Sequence, residues 1–209
     1  MNLPWAEIAT AWAVFAANIL SPGPNVFNTI AIALGSGRRT ALAVVPAVAL
    51  GVLGWSSAAL LGAAAVFRRV DWAEPALTLL GGVLLLWLAS RYVRRAWSWD
   101  PQIAAQVIAP RAAFALTLGI LATNPKALTT WLVLISIFPT ADASADAVAV
   151  MIAGSVTLAA LGHAGYALLF STRPAARAYA RAGRWVNAGV AVFFTVLAVK
   201  LIAGATAPG

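Results

Sequence analysis

The chain alternates long apolar stretches with short polar ones, a pattern typical of helices that cross a membrane. At about 1.5 Å per residue, six stretches could reach across, or nearly across, a hydrocarbon core of roughly 30 Å. They cover residues 5 to 35, 40 to 67, 73 to 93, 112 to 138, 147 to 170 and 185 to 204. The pattern predicts an all-α integral membrane protein with about six transmembrane helices.

The first and fourth predicted helices each contain a motif that interrupts a helix. The motifs are Ser21-Pro22-Gly23-Pro24-Asn25 and Asn124-Pro125-Lys126. Proline has no backbone N–H and clashes with the carbonyl one turn back, so each motif leaves main-chain polar groups unpaired in an apolar stretch. Helices broken at corresponding places in two halves are typical of a transporter's substrate site.

The composition agrees with a membrane protein. Of the 209 residues, 62% are hydrophobic and 10% are charged, and the mean hydropathy is +0.89. A soluble domain carries roughly a quarter charged residues, so the composition excludes that class. The net charge of +8 is spread over loops, so we expect the lipid bilayer as a partner and not nucleic acid. Because the chain has no cysteine, disulfides and thiolate metal sites are excluded.

The basic residues predict the orientation of the helices. Three connections on one side of the membrane hold Arg38, Arg39, Arg91, Arg94, Arg95, Arg111, Arg173, Arg177, Arg181 and Arg184. The positive-inside rule places this side in the cytoplasm and both termini outside. Residues 1–93 and 112–209 then run in opposite senses, as two inverted three-helix repeats of one transmembrane domain, 1–209. Residues 94–111 would join them as a linker on the membrane surface.

The two breaks are predicted to lie at similar depth. Pro24 precedes Arg38 by 14 residues, and Pro125 follows Arg111 by 14 residues. If helical, each stretch spans about 21 Å from the cytoplasmic side. We therefore expect the breaks to form one shared site near the bilayer centre.

Lys126 is the one charged residue deep in a predicted helix. An ammonium near the bilayer centre costs at least ~3 kcal/mol on insertion scales, so it needs compensation. It could bond to carbonyls freed by the break, bind an anionic group such as a substrate carboxylate, or carry a proton. We favour a functional role, because no intramembrane Asp or Glu is available as a permanent partner.

The first break offers amides and a flexible backbone. Asn25 and Asn28, one turn apart, could bind a substrate ammonium or the freed backbone, and both interpretations stay open. Gly23 permits close approach of a ligand, and the helix that begins near Asn25 favours an anion at its start. The predicted substrate-binding residues are Pro22, Gly23, Pro24, Asn25, Asn28, Asn124, Pro125 and Lys126.

His163 is a candidate proton relay, although a lone histidine in a helix is more often a hydrogen-bonded packing residue. With no second histidine and no cysteine, we predict no metal site, and we predict no cofactor. The predicted helices contain no acid pair, nucleophile elbow or His-Glu-x-x-His motif, so we do not expect an enzyme.

Taken in order, these motifs resemble the LysE/RhtB family of amino-acid exporters. The resemblance rests on Pro22-Gly23-Pro24 with a polar residue after it, on Gly35-Ser36-Gly37-Arg38-Arg39-Thr40-Ala41, and on Asn124-Pro125-Lys126. It implies a bacterial inner-membrane exporter of amino acids or related metabolites, driven by the proton gradient. The alternatives are a cation or metal exporter of the wider superfamily, and a membrane-embedded protein without transport activity. A homo-oligomer is left open.

One position departs from the family pattern and bears on the substrate. Many members have Asp where this chain has Asn25. Without that carboxylate, Lys126 would repel a cationic substrate such as lysine or arginine. A neutral zwitterion or a small acid fits better, with its carboxylate at Lys126 and its amine at Asn25.

Overall fold

Helices account for all the regular structure in the described part of the chain. The structure is a computed structural model that describes residues 3–67, 70, 72–99, 103–138, 140 and 142–206. Its helices are α1 (Trp5–Leu20), α2 (Pro24–Leu42), α3 (Val44–Phe67), α4 (Ala73–Trp97), α5 (Pro110–Thr123), α6 (Pro125–Ile137), α7 (Ala145–Leu169) and α8 (Arg173–Thr206). The prediction of an all-α protein is confirmed.

Four of these helices are individually long and apolar enough to cross a membrane. They contain the segments Val44–Ala65, Ala76–Trp97, Ala145–Leu169 and Arg173–Ala205. The pair α5 and α6, bent by 58°, provides a fifth span if it is counted as one broken helix. The 16-residue α1 is apolar but shorter than a span. By length and composition the protein is therefore multi-pass, with four or five candidate spans among the described residues.

The predicted boundaries differ from the observed ones at two helices. α4 continues to Trp97, so it is longer than the predicted stretch of 73 to 93. α8 begins at Arg173, although its first turns were predicted to belong to a basic loop that ended at residue 184. Arginine is a good helix former, so a segment rich in arginine extends the helix beyond its apolar part.

The helices of the first half pack mainly on those of the second half. The most extensive contact joins α4 to α8, followed by α3 with α7. Smaller contacts join α2 to α7, α4 to α6 and α3 to α5. The halves are therefore interleaved, and this brings the end of α1 beside the start of α6.

Residues 103–109 pack as an extended segment along α2. The amide of Gln106 donates to the Ala31 carbonyl at 2.9 Å, and the amide of Ile108 donates to the Ser36 hydroxyl at 2.8 Å. A Cβ on Gly35 would collide with the backbone of Gln106, so only glycine permits this approach. The backbone of residues 103–109 is thus joined to α2 through both the α2 backbone and the Ser36 side chain.

Candidate functional site

The helices break where the proline motifs predict. α1 ends at Leu20, and Gly23 has an extended backbone (φ −161°, ψ 178°) immediately before α2 begins at Pro24. α5 ends at Thr123, and Asn124 is likewise extended (φ −78°, ψ 113°) before α6. Each break is thus a short extended link between two helices.

Lys126 joins the two breaks. Its Nζ donates to the backbone carbonyl of Asn18 at 2.9 Å, and it lies 3.2 Å from the place that a Cβ on Gly23 would occupy. In an uninterrupted helix the Asn18 carbonyl would accept from residue 22, but Pro22 has no N–H. The lysine therefore provides the donor that the first break lacks, rather than bonding to a carbonyl freed at its own break.

Side chains from other helices replace the remaining donors that proline removes. Pro24 leaves the Leu20 carbonyl without its helical partner, and the hydroxyls of Tyr166 and Tyr179 both donate to it at 3.3 Å. Pro125 leaves the Leu121 carbonyl free, and Trp55 Nε1 donates to it at 3.1 Å. These bonds meet the requirement that buried backbone groups be paired.

The surroundings of Lys126 are polar but contain no carboxylate among the described residues. Its Nζ lies 5.7 Å from the centroid of the Tyr92 ring. The Tyr92 hydroxyl donates to Asn18 Oδ1 at 2.8 Å, and Asn18 Nδ2 donates to Thr130 Oγ1 at 2.6 Å. A lysine ammonium has three donors, and the described residues accept from one of them.

A cavity of about 70 Å³ lies between the two breaks. Its apolar walls include Phe15, Trp55 and Trp131. The polar side chains that line it belong to Asn18, Asn25, Asn124, Lys126, Thr130 and His163. The cavity is therefore a small apolar chamber with one positive charge and several hydrogen-bonding groups.

Several polar groups at this cavity have no hydrogen-bond partner among the described residues. The side chains concerned are Asn25 at Oδ1 and His163 at both ring nitrogens. In the backbone, neither the Asn25 nor the Val26 amide N–H finds an acceptor, since the start of α2 has no side-chain cap. These groups have unused hydrogen-bonding capacity.

The start of α6, in contrast, is satisfied internally. Asn124 Oδ1 accepts from the Lys126 amide at 3.0 Å, and the Asn124 carbonyl accepts from the Ala127 amide at 2.9 Å. Free N–H groups and the helix dipole attract anions. The start of α2 is therefore the better anion site of the two helix ends.

The structure brings together most of the predicted site residues. Gly23, Pro24, Asn25, Asn124, Lys126 and His163 all line the cavity. Two others lie outside the lining: the carbonyl of Pro22 accepts from Arg95 Nη1 at 3.2 Å, and Asn28 Nδ2 donates to Thr117 Oγ1 of α5 at 2.9 Å. Pro125 begins α6, and its side chain falls outside the described part.

Several cavity residues were not predicted. Thr130 lies one helical turn after Lys126, so spacing alone could have indicated it. The sequence contains no comparable signal for Trp55 and Trp131, because tryptophans in membrane proteins are usually interpreted as interfacial anchors.

Comparison with protein families identifies the relationship. The LysE type translocator family matches residues 16–204. The chain belongs to this family. The resemblance inferred from the motifs is thus confirmed, and the family's transport activity implies a small-molecule substrate and a lipid environment.

Proteins similar to the chain include two that are named as threonine efflux proteins. The threonine efflux protein of Salmonella typhi is 25% identical over 189 residues, which cover 88% of this chain and 91% of that protein. The threonine efflux protein of Escherichia coli K12 is 24% identical over 188 residues, with the same coverage. The uncharacterized membrane protein YahN of the same strain is 26% identical over 194 residues, covering 90% of this chain and 86% of that protein. No solved structure matches the chain. Membership in the family supports export of amino acids or related metabolites in general.

Proposed function

We propose that the chain exports small neutral amino acids across the bacterial inner membrane, with the cavity between the helix breaks as its substrate site. The observation that carries this proposal is Lys126, an ammonium at the cavity without a carboxylate partner among the described residues. A buried charge is costly unless it is paired. The substrate carboxylate is the partner that we assign to it.

The other free groups at the cavity complement the rest of an amino-acid backbone. The unpaired N–H groups at the start of α2 provide further donors for the carboxylate. Asn25 Oδ1 is a buried acceptor without a donor, and a substrate ammonium provides one. An acceptor and a positive charge in one cavity match a zwitterion.

The size and charge of the cavity argue against large or cationic substrates. Its volume is about 70 Å³, and aromatic side chains form much of its wall. Lys126 and the nearby Arg95 would repel a second positive charge on the substrate. The threonine that the relatives' names specify is a small zwitterion, consistent with this choice.

We include alternating access by two inverted repeats in the proposal. If α1 with α2 and α5 with α6 are each counted as one broken helix, the described residues form six spans. The second span (α3) then packs on the fifth (α7), and the third (α4) packs on the sixth (α8). A pseudo-two-fold axis would pair equivalent helices in this way. The positive-inside rule places the basic connections in the cytoplasm and the termini outside.

A proton gradient is the driving force that we propose, as the family resemblance implies. The sequence made His163 a candidate relay, but no hydrogen bond leads from its ring to a described residue, so the proposal assigns it no step in proton transfer. Export of a cation would need a ligand set of carboxylates, histidines or cysteines. Among the described residues there is no group of three or more such side chains, so this alternative gains no support.

The proposal is tested by efflux of labelled small amino acids from cells that express the chain. Lys126→Ala should abolish most of the efflux while the amount of protein in the membrane holds. Lys200→Ala is the matched control, because Lys200 is the chain's other lysine and is exposed near the end of α8. A protonophore should stop export against a gradient. Efflux by Lys126→Ala equal to that of the wild type would contradict the role assigned to the cavity.

A further inference from the structure

His163 is buried at the cavity, and neither of its ring nitrogens has a hydrogen-bond partner among the described residues. The residue lies in α7 with 5% of its surface exposed, and it lines the same cavity as Lys126 and Asn25. Ala159, one helical turn earlier, lines the same cavity. The Tyr166 ring meets it edge-on, 5.9 Å away between centroids, and forms no hydrogen bond with it.

An imidazole with two unpaired ring nitrogens fits a ligand that can both donate and accept a hydrogen bond. A neutral imidazole has one N–H donor and one acceptor nitrogen. Leaving both unpaired in a buried place costs free energy. A hydroxyl group satisfies either nitrogen, because it can donate one hydrogen bond and accept others.

The contacts proposed so far bind the carboxylate and the ammonium of the substrate. The substrate's side chain remains to contact His163. Lys126 and the start of α2 take the carboxylate, and Asn25 takes the ammonium. Lys126 and His163 line the same cavity of about 70 Å³, so the inference places one small molecule in contact with both. The remaining walls, such as Ala159 and Val52, are apolar and suit the carbon atoms of a short side chain.

We propose that His163 is a specificity-determining residue that selects small amino acids with a side-chain hydroxyl, such as serine and threonine, over analogues of the same shape without one. This inference rests on the proposed function. It assigns the ring a contact with the substrate rather than a step in proton transfer. The absence of a hydrogen-bonded path from the ring through the described residues agrees with that assignment.

Threonine and valine provide the sharpest comparison, because a hydroxyl in one replaces a methyl group in the other. A site that hydrogen-bonds a hydroxyl discriminates against the analogue that lacks it, since its own polar groups are then left unpaired. From the net value of a single hydrogen bond we expect the wild type to export threonine about 3- to 10-fold faster than valine. Serine should likewise be exported faster than alanine.

The experiment measures initial efflux rates of these four amino acids, at equal internal concentrations well below saturation, for the wild type and two variants. His163→Leu removes both polar groups, and the threonine-to-valine ratio should fall to about 1 or below while valine export persists. His163→Gln keeps a donor and an acceptor, so it should retain part of the preference. Ser155→Ala is the control on the same helix, because Ser155 is buried, bonds to the Met151 carbonyl at 2.8 Å and does not line the cavity.

The outcomes separate this inference from the proposed function. An unchanged threonine-to-valine ratio in His163→Leu, or no preference in the wild type, overturns the hydroxyl contact while export itself stands. Loss of all four substrates in both variants, with normal protein levels in the membrane, also overturns it and assigns His163 to the transport cycle. A wild type that exports no small zwitterion refutes the proposed function, and this inference with it.

Discussion

Replacing Lys126 by methionine removes the ammonium but keeps an unbranched side chain of similar length. The contact that is lost is the 2.9 Å hydrogen bond from Nζ to the Asn18 carbonyl. This carbonyl has no alternative helical donor, because residue 22 is proline. The substitution therefore separates the two roles of the lysine, as a donor to the first break and as a charge in the cavity.

The expected change in stability is small because two effects oppose each other. An unpaired buried carbonyl costs about 1–3 kcal/mol. Removing an ammonium from the membrane interior relieves a cost of at least ~3 kcal/mol on insertion scales. We expect the free energy of unfolding of Lys126→Met to lie within about 2 kcal/mol of the wild-type value.

The expected change in transport is large. A hydrogen bond to a charged group contributes about 1.5–3 kcal/mol, and each 1.4 kcal/mol corresponds to a factor of ten, so efflux of a subsaturating substrate should fall roughly 10- to 150-fold. Efflux from preloaded proteoliposomes and thermal unfolding in detergent measure the two quantities on the same protein. Efflux within about twofold of the wild type would refute the substrate contact. A loss of transport that merely follows a large loss of stability would assign the lysine to the fold alone.

Three further predictions each concern a single contact. Trp55→Phe should lower the free energy of unfolding by about 1–3 kcal/mol, because the carbonyl freed by proline loses its donor; chemical denaturation in detergent measures this. Gly35→Ala should displace the extended segment 103–109, and hydrogen exchange of its amides should accelerate. Tyr166→Phe and Tyr179→Phe together should lower the free energy of unfolding by about 1 kcal/mol more than the sum of the two single changes, because the two hydroxyls share the Leu20 carbonyl. A double-mutant cycle measures this excess.

Each of these predictions has a control or a contrary result. Trp97→Phe changes a tryptophan that is 85% exposed and should leave stability unchanged. Gly54→Ala places a Cβ where nothing lies within 4 Å, so exchange in residues 103–109 should stay at the wild-type rate. If the effects of the two tyrosine substitutions on the free energy of unfolding are additive, the Leu20 carbonyl does not depend on both hydroxyls.

The breaks themselves could be predicted because their cause is local. A proline removes its own N–H wherever it stands, and the structure confirms the interruptions around Gly23 and at Asn124. The donors that repair the breaks are not local: Lys126 and Asn18 lie 108 residues apart in sequence. No pattern within a single helix contains that information.

Periodicity also failed to place every polar side chain. Asn28 was expected beside Asn25, one turn away, but its amide contacts Thr117 on α5. Helical spacing says which residues share a face, but not which neighbouring helix covers that face. For the same reason, the position of Trp55 in α3 did not indicate that its side chain would contact the second break.

The repaired carbonyls have a consequence for how this sequence can change over time. Within a helix both the donor and the acceptor of a hydrogen bond belong to the main chain, and only a substitution by proline removes the donor. At both breaks proline has transferred the donor role to side chains of other helices, and a single codon change can delete or alter each of these. The pairing of these carbonyls thus depends on individual side chains, so a substitution at one of those positions can change it without altering the helices that carry the breaks.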